Sequence, residues 1–218
     1  MTCIPLAARD AAVFFHQRTS SPVRRAVVRA QGTRLWDDQG HVVFDANGNG
    51  CHVLGYGHPR LVAALEAQVR TLPFAPRRFT NEPAVALAER LTEAWPFGPA
   101  RVLFAPSGSD AIEIGLKLAR LATGRPGTVA FTGAWHGAGM GALAVGGREA
   151  ERPPAMGPLL AHCHLVAPPD LWHGPDRLAA SLERTQRDLD ALLHREPAIG
   201  LMVAEPVPAA PGRLPTAF

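Results

Sequence analysis

The stretch Arg101-Val-Leu-Phe-Ala-Pro-Ser107-Gly108-Ser109-Asp110-Ala-Ile-Glu113, continuing Ile-Gly-Leu-Lys-Leu-Ala-Arg120, decides the fold. The apolar run Val102–Ala105 is predicted as a strand that enters a tight Ser-Gly-Ser turn. An amphipathic helix opens out of the turn, expected over Asp110–Leu121 with a capping box formed by Asp110 and Glu113. That order gathers free backbone N–H groups and the positive end of a helix dipole around one small volume, which suits a phosphate. The pattern lacks the Gly-Lys-Ser/Thr ending of a Walker loop and is not GxGxxG, so a nucleotide fits poorly. An ordinary Ser-capped turn has the same local form. Lys117, inside the helix, is the only lysine in 218 residues, which leaves little room for lysine chemistry.

Downstream the rhythm continues. Strands are expected at Gly127–Phe131, Cys163–Val166 and Ile199–Ala204, with a polar-faced helix over Arg177–His194 between the last two. Such alternation makes an α/β fold, a mainly parallel sheet flanked by helices. Sites in these sheets collect at the strand C-termini, where the loops near Ser107, Gly133 and Glu205 all lie. The second loop, Thr132-Gly-Ala-Trp135-His136-Gly137, sets an aromatic ring and an imidazole among glycines. It could lay a flat ring on a flat cofactor, or simply bury a Trp in a tight core. The third, Ala204-Glu205-Pro206, ends an apolar strand on a carboxylate. That group needs an Arg partner or a polar site, because an unpaired buried charge is costly.

Upstream, residues 1–30 carry a weak helical pattern and read as an N-terminal arm. Thr33–Trp36 and His41–Phe44 flank the turn Asp37-Asp-Gln-Gly40 as a β-hairpin. Pro59 starts a helix with apolar Leu61, Val62, Leu65, Val69 and Leu72. Asn81 caps another helix, which holds Val85, Leu87 and Leu91.

The bulk numbers bound the partners. A net charge of +3, from 22 basic and 19 acidic residues, is too small to argue for nucleic acid. No apolar run reaches the roughly 18 residues of a membrane span. The N-terminus meets charge too early for a secretory leader, and three sparse cysteines suggest no disulfide framework. A cytoplasmic location is the expectation. His162, Cys163, His164 and His173 offer ligand types. With His162 and His164 on one strand face and Cys163 on the other, however, no zinc spacing is formed and no metal is expected.

Together the segments resemble the class III aminotransferases, pyridoxal-phosphate enzymes of fold type I. The resemblance rests on Gly57-His58-Pro59, on Ser107-Gly108-Ser109-Asp-Ala-Ile-Glu113 with Lys117-Leu-Ala-Arg120, on Trp135-His136-Gly137 and on Glu205-Pro206-Val207. It implies an N-terminal arm and small-domain hairpin over 1–58 and an incomplete large domain over 59–218. It further implies that Gly108 and Ser109 hold the cofactor phosphate, with Ser107 beside them, and that Trp135 stacks on the pyridine ring. His136 and Glu205 complete the cofactor-binding set.

The implied activity is amino-group transfer between a small amine or amino acid and a carbonyl acceptor, in a homodimer. The run from Gly133 to Gly147 looks closer to the branch with aminomutases and amino-phosphonate lyases, so a lyase or aminomutase of the same family is the alternative. A non-catalytic module that binds cofactor or a partner is another. In the family, the Schiff-base lysine and the Asp facing the ring nitrogen follow the Glu-Pro motif. This chain ends at Phe218, thirteen residues past Glu205. A truncated copy without useful turnover, and without a catalytic residue of its own, is therefore the expectation.

Overall fold

The computed structural model describes residues 5–15, 25–76, 78–170 and 173–206. The chain divides into two compact units, Met1–Pro96 and Phe97–Phe218.

In the first unit, helix α1 (Leu6–Val13) buries no residue. Strands β1 (Val27–Gln31), β2 (Arg34–Asp37) and β3 (Val42–Phe44) form an antiparallel meander in that order. The hairpin expected around Asp37–Gly40 is present as β2 and β3. Its turn is held by Asp37, whose carboxylate accepts the N–H groups of Gln39 at 3.0 Å and His41 at 2.8 Å. Strand β1 corrects the sequence reading, which placed 27–30 in a weakly helical arm. Pairing with β2 overrides the local pattern, as β-branched Val27 and Val28 favour.

Helix α2 (Pro59–Thr71) begins at Pro59 as expected. Helix α3 (Glu82–Ala94) is capped by Asn81, whose side chain accepts the Ala84 N–H at 3.0 Å. Neither helix buries a residue, and their apolar side chains, Leu65 and Leu87 among them, are exposed.

The second unit is a three-layer sandwich. Strands β4 (Gly127–Phe131), β5 (Cys163–Val166) and β6 (Ile199–Val203) run parallel in the order β5-β4-β6. Helices α4 (Gly108–Thr123), α5 (Met140–Val145) and α6 (Pro175–Arg195) cover it. Central β4 is covered on both sides. Val129 and Phe131 pack with Val166, Ile199, Leu189 and Leu192, the last two from α6. Ala130 packs on the other face with Leu116 of α4 and Val145 of α5. Alternate residues of one strand thus serve two cores, each large buried side chain contributing roughly 1.5–3 kcal/mol. Helix α4 ends at Gly124, in the left-handed region at φ 65°, with its N–H on the Arg120 carbonyl at 2.9 Å.

Several expectations are corrected here. Val102–Ala105 is not a strand: a strand exists through its ladder, and among the described residues none pairs with it, leaving Leu103 and Phe104 exposed. Helix α4 starts at Gly108, ahead of the expected Asp110. The cap is Ser107, whose Oγ accepts the Asp110 N–H at 3.1 Å; no Asp110–Glu113 capping box forms. His162 precedes β5 with φ 61°, so it does not share a strand face with His164.

Candidate functional site

The sheet register brings two of the three loops together. Ala130 of β4 pairs with Val203 of β6, so the segments leaving both strands emerge side by side. The Trp135 N–H accordingly points to Glu205 Oε2 at 3.5 Å. Of the two alternatives for Glu205, an Arg partner or a polar site, the described residues show a main-chain donor and no arginine. Val207, the last residue of the Glu-Pro motif, lies outside the described residues.

The Ser107–Ser109 turn joins from the start of α4. The Ala138 N–H donates to Ser109 Oγ at 3.1 Å, which ties the segment after β4 to the first turn of the helix. The approach is close. A Cβ on Gly137 would fall on Ser109, and Gly137 sits at φ 133°, so a side chain is excluded on two counts. Two hydrogen bonds thus join the three segments, Trp135 to Glu205 and Ala138 to Ser109, while Ser107, Gly108 and His136 are beside them only as chain neighbours.

Their environments differ. Ser107 is consumed by its cap, accepting from the Asp110 N–H and donating to the Asp110 carboxylate. The N–H groups of Gly108 and Ser109 have no hydrogen bond among the described residues, with Gly108 exposed and Ser109 half-buried. They are the open donors that a helix start offers to an oxyanion. Ser109 Oγ already accepts from Ala138, so its own proton remains available to a further acceptor.

His136 is only 7% exposed, and its buried Nε2 lacks a partner. Burial pushes its pKa below the ordinary value, and the nearby Glu205 charge opposes that only in part. The ring is neutral at neutral pH, with one nitrogen unused. Trp135 is half-buried, and the Arg148 guanidinium lies 5.1 Å from its ring centroid.

Sequence reasoning missed Arg148 and the role of Glu113. Arg148 is brought back by the pairing of Gly133 with Gly147, and no local signal marks it. Glu113 was assigned to its own helix, whereas its Oε1 accepts the N–H groups of Gly141 at 2.8 Å and Ala142 at 3.0 Å. Lys117 is exposed on α4, about 13 Å along the axis from Gly108 at 1.5 Å per residue.

Comparison with known proteins sets this geometry in context. The family model for class III aminotransferases matches residues 15–217. An (R)-1-hydroxy-2-aminoethylphosphonate ammonia-lyase of Vibrio splendidus is 38% identical over 215 residues, 91% of this chain and 45% of that protein. An acetylornithine aminotransferase of Streptomyces clavuligerus is 37% identical over 175 residues, 79% of this chain and 41% of its own length. Among solved structures, a pyridoxal-phosphate-bound amine transaminase from an uncultivated Pseudomonas species superposes with a TM-score of 0.80. Its identity is 30%, and the match covers 90% of this chain and 48% of that one. The chain spans about half the length of the curated relatives it matches.

Proposed function

The chain belongs to the class III aminotransferases, and from that premise we propose that its second unit is a pyridoxal-phosphate site. The observation that carries the proposal is the junction of an open helix start with an aromatic–imidazole loop, made by the Ser109–Ala138 hydrogen bond.

The residues present fit the group. Gly108 and Ser109 offer two open N–H donors and one hydroxyl proton to a phosphate at the positive end of a 16-residue helix. Trp135 presents a half-buried ring for stacking on a flat heterocycle. His136, held neutral, has a buried and unused Nε2 that takes or gives one hydrogen bond there. Glu205 lies against the Trp135 backbone and supplies the site's negative charge. Ser107 supports the cup through its cap.

When bound, pyridoxal phosphate supplies an electron sink for the carbon next to a substrate's amino nitrogen. The chain's own residues anchor, orient and partly bury it. Lys117 is exposed and well removed along α4, so it does not serve as the group that holds a proton at the reacting carbon.

The whole protein's activity is amino-group transfer between a small amine or amino acid and a carbonyl acceptor on this proposal. Elimination of ammonia from an amino-phosphonate is the second reading, favoured by the 38% identity to the Vibrio splendidus lyase. The same proposal takes 1–58 as arm and small-domain hairpin and 59–218 as part of the large domain. It extends to a cytoplasmic homodimer, with the exposed apolar faces of α2 and α3 as natural contact surfaces. No helix among the described residues is long and apolar enough to cross a membrane.

The test is absorbance of the purified chain titrated with pyridoxal phosphate, before and after borohydride. Saturable binding without covalent fixation is expected. No binding overturns the proposal, and covalent fixation would mean that Lys117 or the amino terminus reaches the aldehyde.

A further inference from the structure

Helix α5 (Met140–Val145) is only six residues long, yet Gly141–Val145 are all buried. Its cap residue is Gly139, which has no side chain to receive the N–H groups of the first turn. Left bare, two buried N–H groups would each carry an uncompensated desolvation cost. Glu113 meets both needs from another helix. A single oxygen, Oε1, accepts the N–H groups of Gly141 and Ala142, the two positions that a cap side chain serves. The fit is tight, since a Cβ on either Gly139 or Gly141 would run into the Glu113 carboxylate.

Glu113 stands four residues after Ser109, so both project from the same face of α4. Ser109 holds Ala138 and Glu113 holds Gly141 and Ala142. Trp135 and His136 lie just before this doubly anchored stretch, and on their other side Trp135 is tied to Glu205. The aromatic loop is thus fastened at both ends, and Glu113 is the stronger of the two fastenings to α4. We propose that Glu113 is a positioning residue of the cofactor site, setting where the Trp135 ring stands relative to the phosphate cup at Gly108 and Ser109. It touches neither ring nor phosphate and acts through the backbone of 138–142. The inference rests on the functional reading for its purpose but not for its geometry.

Two readouts test it. In the first, the uncomplexed chain and Glu113→Ala are compared by amide hydrogen exchange. The amides of Gly141 and Ala142 should exchange at least about ten-fold faster, with the acceleration spreading to 135–138. In the second, pyridoxal phosphate is added and its induced circular dichroism is read. The free cofactor is achiral, so a signal arises only when the protein holds the ring in one orientation.

Glu113→Ala should lose most of that signal and bind the cofactor about ten-fold more weakly. Glu113→Gln keeps an Oε1 that accepts both N–H groups and should restore the signal. Gly139→Ala, which pushes the carboxylate aside while keeping its charge, should resemble Glu113→Ala and serves if that variant does not fold.

Exchange that accelerates only at 141 and 142, or an unchanged dichroic signal in Glu113→Ala, overturns the proposal. Failure of Glu113→Gln to rescue overturns it as well, since the role would then be one of charge. A parent chain that binds no pyridoxal phosphate overturns the functional reading instead, and the exchange pattern alone then decides the positioning role.

Discussion

Helices α2 and α4 carry the same kind of amphipathic pattern and meet opposite fates. In α4, Leu116 is 3% exposed, packed against Ala130 and Val145. In α2, Leu65 is 57% exposed and the helix buries nothing. The difference does not lie in the helices. The 97–218 unit has a parallel sheet whose faces need covering, and α4, α5 and α6 cover them. The unit of 1–96 has a three-stranded meander whose strands are themselves largely exposed, with Val28 63% and Phe44 67% accessible. Periodicity states which side of a helix is apolar; a neighbouring surface decides whether that side is buried.

Removing a core contact should break the comparison most sharply. Leu116→Ala is expected to cost about 2–5 kcal/mol, because the cavity lies between α4, β4 and α5. Urea unfolding of the full chain, read at probes in the second unit, measures it. A cost below about 1 kcal/mol would mean that α4 is no better packed than α2.

Acid should separate the two units by the pH at which each weakens. His136 has a folded pKa below its ordinary value of 6.5, because burial disfavours the imidazolium. The unfolded chain therefore binds its proton first, and the stabilisation present above about pH 6.5 is lost as pH falls through the lower folded value. His136→Phe should flatten that part of the stability–pH curve in the second unit. If the slope persists, another group causes it.

Asp37 behaves differently. Burial pushes its pKa up, but hydrogen bonds from the His41 N–H and ring and from the Gln39 N–H outweigh that and hold it below 3.8. Its contribution is complete above about pH 4 and disappears as pH falls through the depressed folded value. The β2–β3 turn should thus keep its stability down to about pH 4, below the pH of about 6.5 at which His136 of the unfolded chain begins to take its proton. Amide resonances of His41 and Val42 followed against pH check this, with Asp37→Asn removing the acid transition.

The smallest expected effect is the most diagnostic for α2. Leu65→Ala should change stability by less than about 0.5 kcal/mol in the isolated chain. A loss that grows with protein concentration would show that a second copy covers this face. That outcome would narrow the contrast with α4 to a difference between subunit and domain packing.

Much of the second unit was legible because its signals are local. The strands at 127–131 and 163–166 and the α6 helix follow from runs of apolar residues and their periods. The three loops with Ser109, Trp135 and Glu205 are marked by glycines and by polar residues placed after apolar runs. The meeting of the loops after β4 and β6 follows from the parallel register, whereas the Ser109 turn joins them from a helix that no strand of the sheet precedes. What stayed hidden is non-local. Val102–Ala105 has the composition of a strand but no ladder among the described residues. Val27–Gln31 lacks a clear pattern and became a strand by pairing with β2.

The sequence by itself determined two helix starts, at Pro59 and Asn81, where ring constraint and side-chain capping act within a few residues. It also determined the family, through short motifs that each carry their own chemistry. Only the tertiary structure decided which apolar faces are covered, that Glu113 caps α5 instead of its own helix, that His136 is buried and neutral, and that Arg148 lies against Trp135. Each of these depends on groups far apart in the chain, whose approach is fixed by packing and hydrogen-bond satisfaction and leaves no trace in the spacing of neighbours.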